Sequence, residues 1–295
     1  MVVAPPVHSE MESENAPLRL FAHGLTDLGR CRDQSEDAFY ISKAKDLFIV
    51  SDGIGGAHGG ALAAAATVQT LPLKVAAECR KLVCTGDKAI VEKARTLPRM
   101  IDAVKELLLD RTRYEPAAKG LGATVVAGFF VGNNTLALSH LGDSRAYLLR
   151  DGVLERLTED HTVANMLFQT GRINSSELTH HPTRNILTRY IGMEDCPKAD
   201  AALLRLLPGD RLLFCTDGLT SMISDAEIGN ELIETEDCAS ACKRLVERSN
   251  HAGGHDNITV VVVDVTDGTS SQQRRGKVVV RDTVGSSLTP LGALP

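Results

Sequence analysis

The chain has 295 residues, 43% of them hydrophobic and 24% charged, which is apolar matter enough for one large core. A formal net charge of −6, no Trp and 4% aromatic residues argue against a nucleic-acid binder, which would neutralise phosphates or stack bases. Seven cysteines, an odd number without a CxxC pair, argue against a disulfide framework or a zinc site and read as reduced thiols of a cytoplasmic protein.

Residues 1–17, MVVAPPVHSEMESENAP, combine Glu and Pro without an apolar stretch, so a flexible lead is expected rather than a signal peptide. Strands are expected at 37–42 and 47–51. An alanine-rich helix is expected at 60–78, then an amphipathic one at 87–112 that Pro98 should break or kink. LGATVVAGFFVG (121–132), the longest apolar run, is too short to span a bilayer and reads as a buried strand. Strands at 135–142 and 144–150 follow, with hairpin turns signalled by GNN (132–134) and RDGV (150–153). A helix at 161–171, a strand at 211–217, helices at 225–234 and 238–250 and a strand at 257–265 complete the set. Residues 18–266 are expected to form one domain, and 267–295 a mobile tail in which KVVVRDTV offers one short edge strand. Strands arriving in adjacent pairs predict an α+β fold: a sandwich of two antiparallel sheets with helices on both outer faces.

Acids mark the ends of these strands. The run FIVSDGIGGAHGG (48–60) climbs through Phe48, Ile49 and Val50, stops at Asp52 and continues in glycines. Asp37 follows Glu36 at a strand start, Asp143 sits in the turn of LSHLGDSRAY, Asp217 ends RLLFCTD, and Asp256 precedes NITVVVV. Burying one unpaired carboxylate costs several kcal/mol, about the scale of a whole domain's stability margin. Each acid alone suits a turn or cap, but together they suggest a common cause: hard cations held by oxygen ligands, Mg²⁺ or Mn²⁺. Glycine after Asp52 is expected to leave room for the cations and their water.

At these residues the chain resembles the metal-dependent Ser/Thr protein phosphatases of the PP2C type, in their bacterial form. The resemblance is carried by GRCRDQSEDAF (29–39), SDGIGGAHGG (51–60), GATVV (122–126) and LSHLGDSRAYLLRDGVLERLTEDHT (138–162). HPTRNILTRYIG (181–192), PGDRLLFCTDGLTSMISDAEI (208–228) and GGHDNITVVVV (253–263) extend it. It implies a flanked β-sandwich with the acids gathered at one end. Asp52 would bridge two metals, Asp217 and Asp256 would hold the first, and the Gly53 carbonyl with Glu36 or Asp37 would serve the second. A third, weaker metal would sit by Asp143, shared with Asp217. Arg32 would grip the phosphate, and a water bridging the two ions would attack it directly, making Arg32, Asp52 and Asp217 the catalytic set.

By that resemblance the substrates are phosphorylated proteins, targets of a Ser/Thr kinase or the kinase itself. A monomer without a membrane segment is expected. The chain departs from the family pattern at Ser35, Ile54 and Ala61, and its loop histidine stands at His58, a candidate proton donor. His161 is expected to cap or pack the next helix, Arg145 to serve as a structural ion partner, and 163–190 to form a substrate-selecting flap. The competing expectations are a catalytically silent phosphoprotein- or kinase-binding domain, favoured by the departures, and a hydrolase of small phosphate esters.

Overall fold

Residues 17–44, 46–55, 59–114, 120–195, 197–267, 278–281 and 283–291 are described by the structure, a computed structural model. His58, Cys196 and residues 1–16 of the expected lead lie outside the described residues.

Side chains alternate across a strand, and here both faces of the central strands find apolar cover. In β11 (Arg211–Cys215) and β12 (Ile258–Thr266), Leu212, Phe214, Val261 and Val263 turn to one side. Leu213, Cys215, Val260 and Val262 turn to the other. The first sheet runs β1 (Arg19–Asp27), β12, β11, β8 (Arg145–Arg150), β9 (Val153–Arg156) and β13 (Val279–Arg281). The second runs β14 (Leu288–Pro290), β10 (Asp200–Arg205), β7 (Thr135–Leu141), β6 (Val125–Gly132), β3 (Leu47–Ser51) and β2 (Ala38–Ile41). A short ribbon pairs β4 (Gly53–Ile54) with β5 (Gly122–Ala123).

The inner faces meet in a core containing Phe48, Val50, Val126, Leu148 and Phe214, with Phe48 and Phe214 stacked at 6.1 Å between ring centroids. Helices α1 (Gly59–Cys79) and α2 (Gly86–Tyr114) cover the outer face of the second sheet. On the first sheet that cover comes from α5 (Asp217–Thr220), α6 (Asp225–Glu234) and α7 (Cys238–His251). Two short helices, α3 (Val163–Gln169) and α4 (Ser175–Leu178), lie in the segment between β9 and β10. The expected sandwich with helices outside is the observed architecture.

Several expectations are corrected. The sheets are not wholly antiparallel: β13 pairs with β9 in parallel, reached by a connection long enough for a crossover. Two edge strands, not one, come from the residues after Asp267, because Val278 and Leu288 both find apolar clusters to bury against. Pro98 does not break α2, whose Leu97, Ile101, Val104 and Leu108 are buried along one face and hold it to the sheet. By length and composition α1 is apolar enough to cross a membrane, a property the alanines hide from a search for bulky apolar runs. Here its inner face, with Ala63, Ala64, Val68 and Leu71, packs on the protein core. Strands β1, β9 and β10 are additions to the expected set.

Candidate active site

Loops from both sheets converge at one end of the sandwich. β3 delivers Asp52, the β7–β8 hairpin delivers Asp143, β11 runs into Asp217 at the first position of α5, and Asp256 stands just before β12. Asp37 precedes β2, which pairs with β3 in the register Ala38 opposite Ser51 and so brings Asp37 beside Asp52. The five acids predicted at strand ends are thus brought together, and the electrostatics report it. Burial raises the Asp52 carboxyl well above its ordinary range, and the charges of Asp37, Asp217, Asp143 and Asp256 raise it further. Burial likewise raises Asp143, followed by the charge of Asp217, and raises Asp217, followed by the charge of Asp256. Asp37 is pushed up to about 7, chiefly by burial, although hydrogen bonds from Thr259 and Thr216 pull the other way.

Backbone and hydroxyl groups hold the acids in place. Asp52 N–H donates to Thr124 Oγ1 at 2.9 Å, and the Asp52 carbonyl accepts from Thr124 N–H at 2.8 Å. Thr124 Oγ1 in turn lies 2.6 Å from Ser144 Oγ, beside Asp143. Thr216 Oγ1 donates to Asp37 Oδ2 at 2.8 Å. Asn257, almost fully buried, accepts from Glu36 N–H at 2.7 Å and donates to the carbonyls of Leu28 and Gln34, each at 3.1 Å. It fixes the loop that carries Arg32 and Glu36. Sequence reasoning missed Thr124, Ser144, Thr216 and Asn257 as supports; each adjoins or pairs with a strand-end acid, the one signal available.

Arg32 donates from Nη2 to Asp256 Oδ2 at 2.7 Å, and that hydrogen bond raises its guanidinium above the ordinary range, with Glu36 and Asp52 contributing. The arginine is half exposed, at the rim of the acid cluster. Gly53 is required by packing: a Cβ there would lie 2.2 Å from the Gly60 backbone and 2.7 Å from the Glu36 carbonyl, so glycine is needed for the close approach of α1. Arg145 is the structural ion partner expected, donating to both Asp160 oxygens at 2.8 and 2.6 Å.

The donor set fits a hard cation. All five crowded acids offer oxygen, and the Asp217 Oδ1 atom is buried with no hydrogen-bond partner. A lone pair so placed costs about 1–3 kcal/mol unless an electrophile takes it.

A second polar cluster stands behind Asp143. The His161 backbone N–H donates to the Gly142 carbonyl at 3.0 Å, and His161 Nδ1 accepts from Gly142 N–H at 3.0 Å. On its other side His161 Nε2 lies 3.1 Å from Asp200 Oδ2 and 2.8 Å from Arg189 Nη1. Arg189 Nη2 also donates to Asp200 Oδ1 at 2.7 Å and to the Lys198 carbonyl. His140 stacks on His161 with centroids 4.6 Å apart, and its Nε2 meets the Glu159 carbonyl at 2.8 Å. Donor atoms of His140, His161 and Asp200 lie within 4.8 Å of one another, close enough to share an ion. Yet the Gly142 amide takes the His161 Nδ1 lone pair, so Nε2 carries the proton and donates to Asp200; Arg189 Nη1, itself a donor, lies beside that N–H without hydrogen bonding to it, and the Arg189 cation already neutralises the carboxylate. His161 does not cap α3; Thr162 does, accepting from Asn165 N–H. The reason is geometric, since the imidazole is engaged by Gly142 instead.

The segment expected as a flap, 163–190, is joined to this cluster through Thr188 N–H, which donates to the His161 carbonyl at 2.8 Å. Its tip holds α4, closed by a capping box in which Asn174 and Glu177 satisfy each other's backbone amides.

The chain is similar to known proteins. The profile of the family described as protein phosphatase 2C matches residues 29–262. The serine/threonine phosphatase stp of Listeria innocua is 32% identical over 249 residues, which are 83% of this chain and 96% of that protein. The crystal structure of the Mycobacterium tuberculosis serine/threonine phosphatase PstP/Ppp superposes with a TM-score of 0.72 at 33% identity, covering 84% of this chain and 98% of that one. The catalytic domain of PstP in complex with two manganese ions gives a TM-score of 0.70 at 30% identity, covering 84% and 99%. The chain belongs to the protein phosphatase 2C family.

Proposed function

We propose that this chain is a metal-dependent phosphoprotein phosphatase that hydrolyses phosphoserine and phosphothreonine in proteins. The observation that carries the reading is the gathering of Asp37, Asp52, Asp143, Asp217 and Asp256 at one end of the sandwich, with a buried, unpartnered oxygen on Asp217. Asp52, Asp217 and Asp256 would hold one Mn²⁺ or Mg²⁺. Asp52, the Gly53 carbonyl and Glu36 or Asp37 would hold a second, and Asp143 with Asp217 a weaker third. When bound, such cations neutralise the phosphate charge and activate a water for in-line attack on phosphorus.

The chain's own residues do the rest. Arg32, at the rim beside Asp256, is placed to grip two phosphate oxygens through its planar fork and so to orient the ester. The Asp52–Thr124–Ser144 hydrogen-bond chain holds two strand ends in fixed relation, so the acids need no rearrangement as charge builds. Asn257 keeps the Arg32 loop at that rim. With the acids converging, the silent-domain alternative gains no support. The substrates are phosphoproteins; targets of a Ser/Thr kinase, or the kinase itself, are the finer proposal. A monomer acting in the cytoplasm is proposed with it, and the free thiols of the described cysteines fit a reducing compartment.

The test is phosphopeptide hydrolysis with Mn²⁺, for wild type beside Asp217→Asn, with direct measurement of bound Mn²⁺. Wild type should turn over peptide only with metal, and the variant should lose about two orders of magnitude in kcat/KM together with Mn²⁺ affinity. Turnover that persists in chelator, or in the variant at full rate, would defeat the reading. Faster hydrolysis of phosphorylated metabolites than of phosphopeptides would move it to the small-ester class.

A further inference from the structure

The geometry points to His161 as a positioning residue that sets the aim of Asp143 by gripping both amide groups of its neighbour Gly142. The inference rests on the reading of Asp143 as an acid that holds the weakest of the site's cations.

Three observations carry it. The first is the two-point grip: His161 N–H to the Gly142 carbonyl and Gly142 N–H to His161 Nδ1, each 3.0 Å. The gripped residue is bonded directly to Asp143. A backbone fixed on both its donor and its acceptor has little freedom to swing.

The second is that nothing else in the turn can substitute. Gly142 has φ +106°, and a Cβ there would lie 2.6 Å from Thr124 Cγ2, so the position admits glycine and no side chain of its own to stiffen it. On the far side, Ser144 is tied to Thr124 at 2.6 Å, and Thr124 to Asp52. Asp143 is thus suspended between two anchors, Ser144 and Gly142, and His161 supplies the second.

The third is that the imidazole is itself locked, at 7% exposure. His140 stacks on one face, and the ring edge meets Asp200, which Arg189 also holds. Burial alone would raise the Asp200 carboxyl, but the hydrogen bonds from His161 and Arg189 carry it below the usual carboxylate range, so it presents a full negative charge to the ring edge. Arg189 Nη1 also lies 2.8 Å from Nε2 but can only donate, so it is the Gly142 N–H, which needs the Nδ1 lone pair, that puts the ring proton on Nε2, where Asp200 accepts it.

Substitutions that separate the two ring nitrogens test this. Asn at 161 places an acceptor near the position of Nδ1, whereas Gln places a donor near Nε2 and offers Gly142 nothing. Mn²⁺ binding to the full chain is measured by calorimetry, with melting temperature as a control for folding. His161→Ala and His161→Gln should weaken the weakest class of Mn²⁺ sites by about tenfold or more, leave the tighter classes within about twofold, and His161→Asn should restore the weak class to within about threefold of wild type. Asp143→Asn should abolish that same class.

Equal behaviour of the Asn and Gln variants overturns the proposal, as does equal weakening of all classes, which is what a merely structural role would give. If the Ala variant does not fold, the Asn–Gln comparison decides alone. Loss of the weak class in Asp143→Asn with no change in any His161 variant overturns the role of His161 and keeps that of Asp143. No change in Asp143→Asn overturns both.

Discussion

The two ends of β11 bury charge in opposite ways. At its start Arg211 is fully buried, yet every donor is answered. Asp264 takes a bidentate pair at 2.7 and 2.9 Å, and the carbonyls of Leu232, Thr235 and Glu236 and the Thr235 hydroxyl take the rest. Just past its other end Asp217 faces like charges and keeps one oxygen with no partner. The first arrangement is complete within the protein; the second is complete only with something else bound. A charge whose needs the fold meets is a strut, and a charge whose needs it leaves open marks where chemistry happens.

That contrast can be broken at either end. The largest effect should come from Arg211→Met, which removes the cation paired with Asp264 and the donor that served the buried carbonyls. We expect a loss of about 3–5 kcal/mol in unfolding free energy by denaturant titration, with turnover per folded molecule retained. Asp217→Asn should do the reverse. Phosphopeptide kcat/KM falls about two orders of magnitude, whereas the metal-free variant melts no lower than wild type, because a repelled charge has gone.

Arg32→Lys should keep the charge but not the fork, lowering kcat/KM about tenfold with Mn²⁺ affinity little changed. Restoration of wild-type rates by Lys would show that Arg32 acts as a point charge alone.

The smallest effect sharpens the comparison by pH. Asp37 binds its proton up to about pH 7 when folded but only to about pH 3.9 when unfolded, so the folded state holds more protons between these values and loses stability as pH rises through 7. The raised Asp52, Asp143 and Asp217 act in the same direction. His140, buried and lowered to about 4, has the opposite slope, but that slope lies below about pH 6.5. In chelator the melting temperature should therefore drop by about 2–5 °C from pH 6.5 to pH 8, and saturating Mn²⁺ should flatten the drop. A metal-free protein that is more stable at pH 8 would contradict the crowding of the acids.

Much of this was legible before the structure, for identifiable reasons. β3, β11 and β12 are dense in Val, Ile, Leu and Phe, and the acids that flank them, Asp52, Asp217 and Asp256, stand out against that background. The hairpins at Asn133–Asn134 and Asp151–Gly152 carry the positive φ angles that Asn, Asp and Gly accept most readily. Less visible was β1, RLFAHGLTD, where His and Gly interrupt the apolar pattern and only pairing with β12 along its whole length makes it a strand. β10, DAALLR, has the Ala and Leu of a helix and is held extended by β7 on one side and β14 on the other. The clash that demands Gly53 involves Gly60, and the grip on Gly142 comes from His161, nineteen residues on. Such contacts depend on how elements lie against one another, which the spacing of residues along the chain does not state.

The two strands donated by the C-terminal region have a consequence for biosynthesis. β13 and β14 finish the same flank of the sandwich, opposite the flank where β1 meets β2, and Arg281 and Ser287 supply the partners of Glu155, which is otherwise a shut-in anion. Until β13 and β14 leave the ribosome, β9 and β10 are open borders able to recruit a neighbouring nascent chain. β13 and β14 therefore act as the closing seam of the sandwich, and cutting the chain ahead of them would bare two strand borders and trade solubility for aggregation.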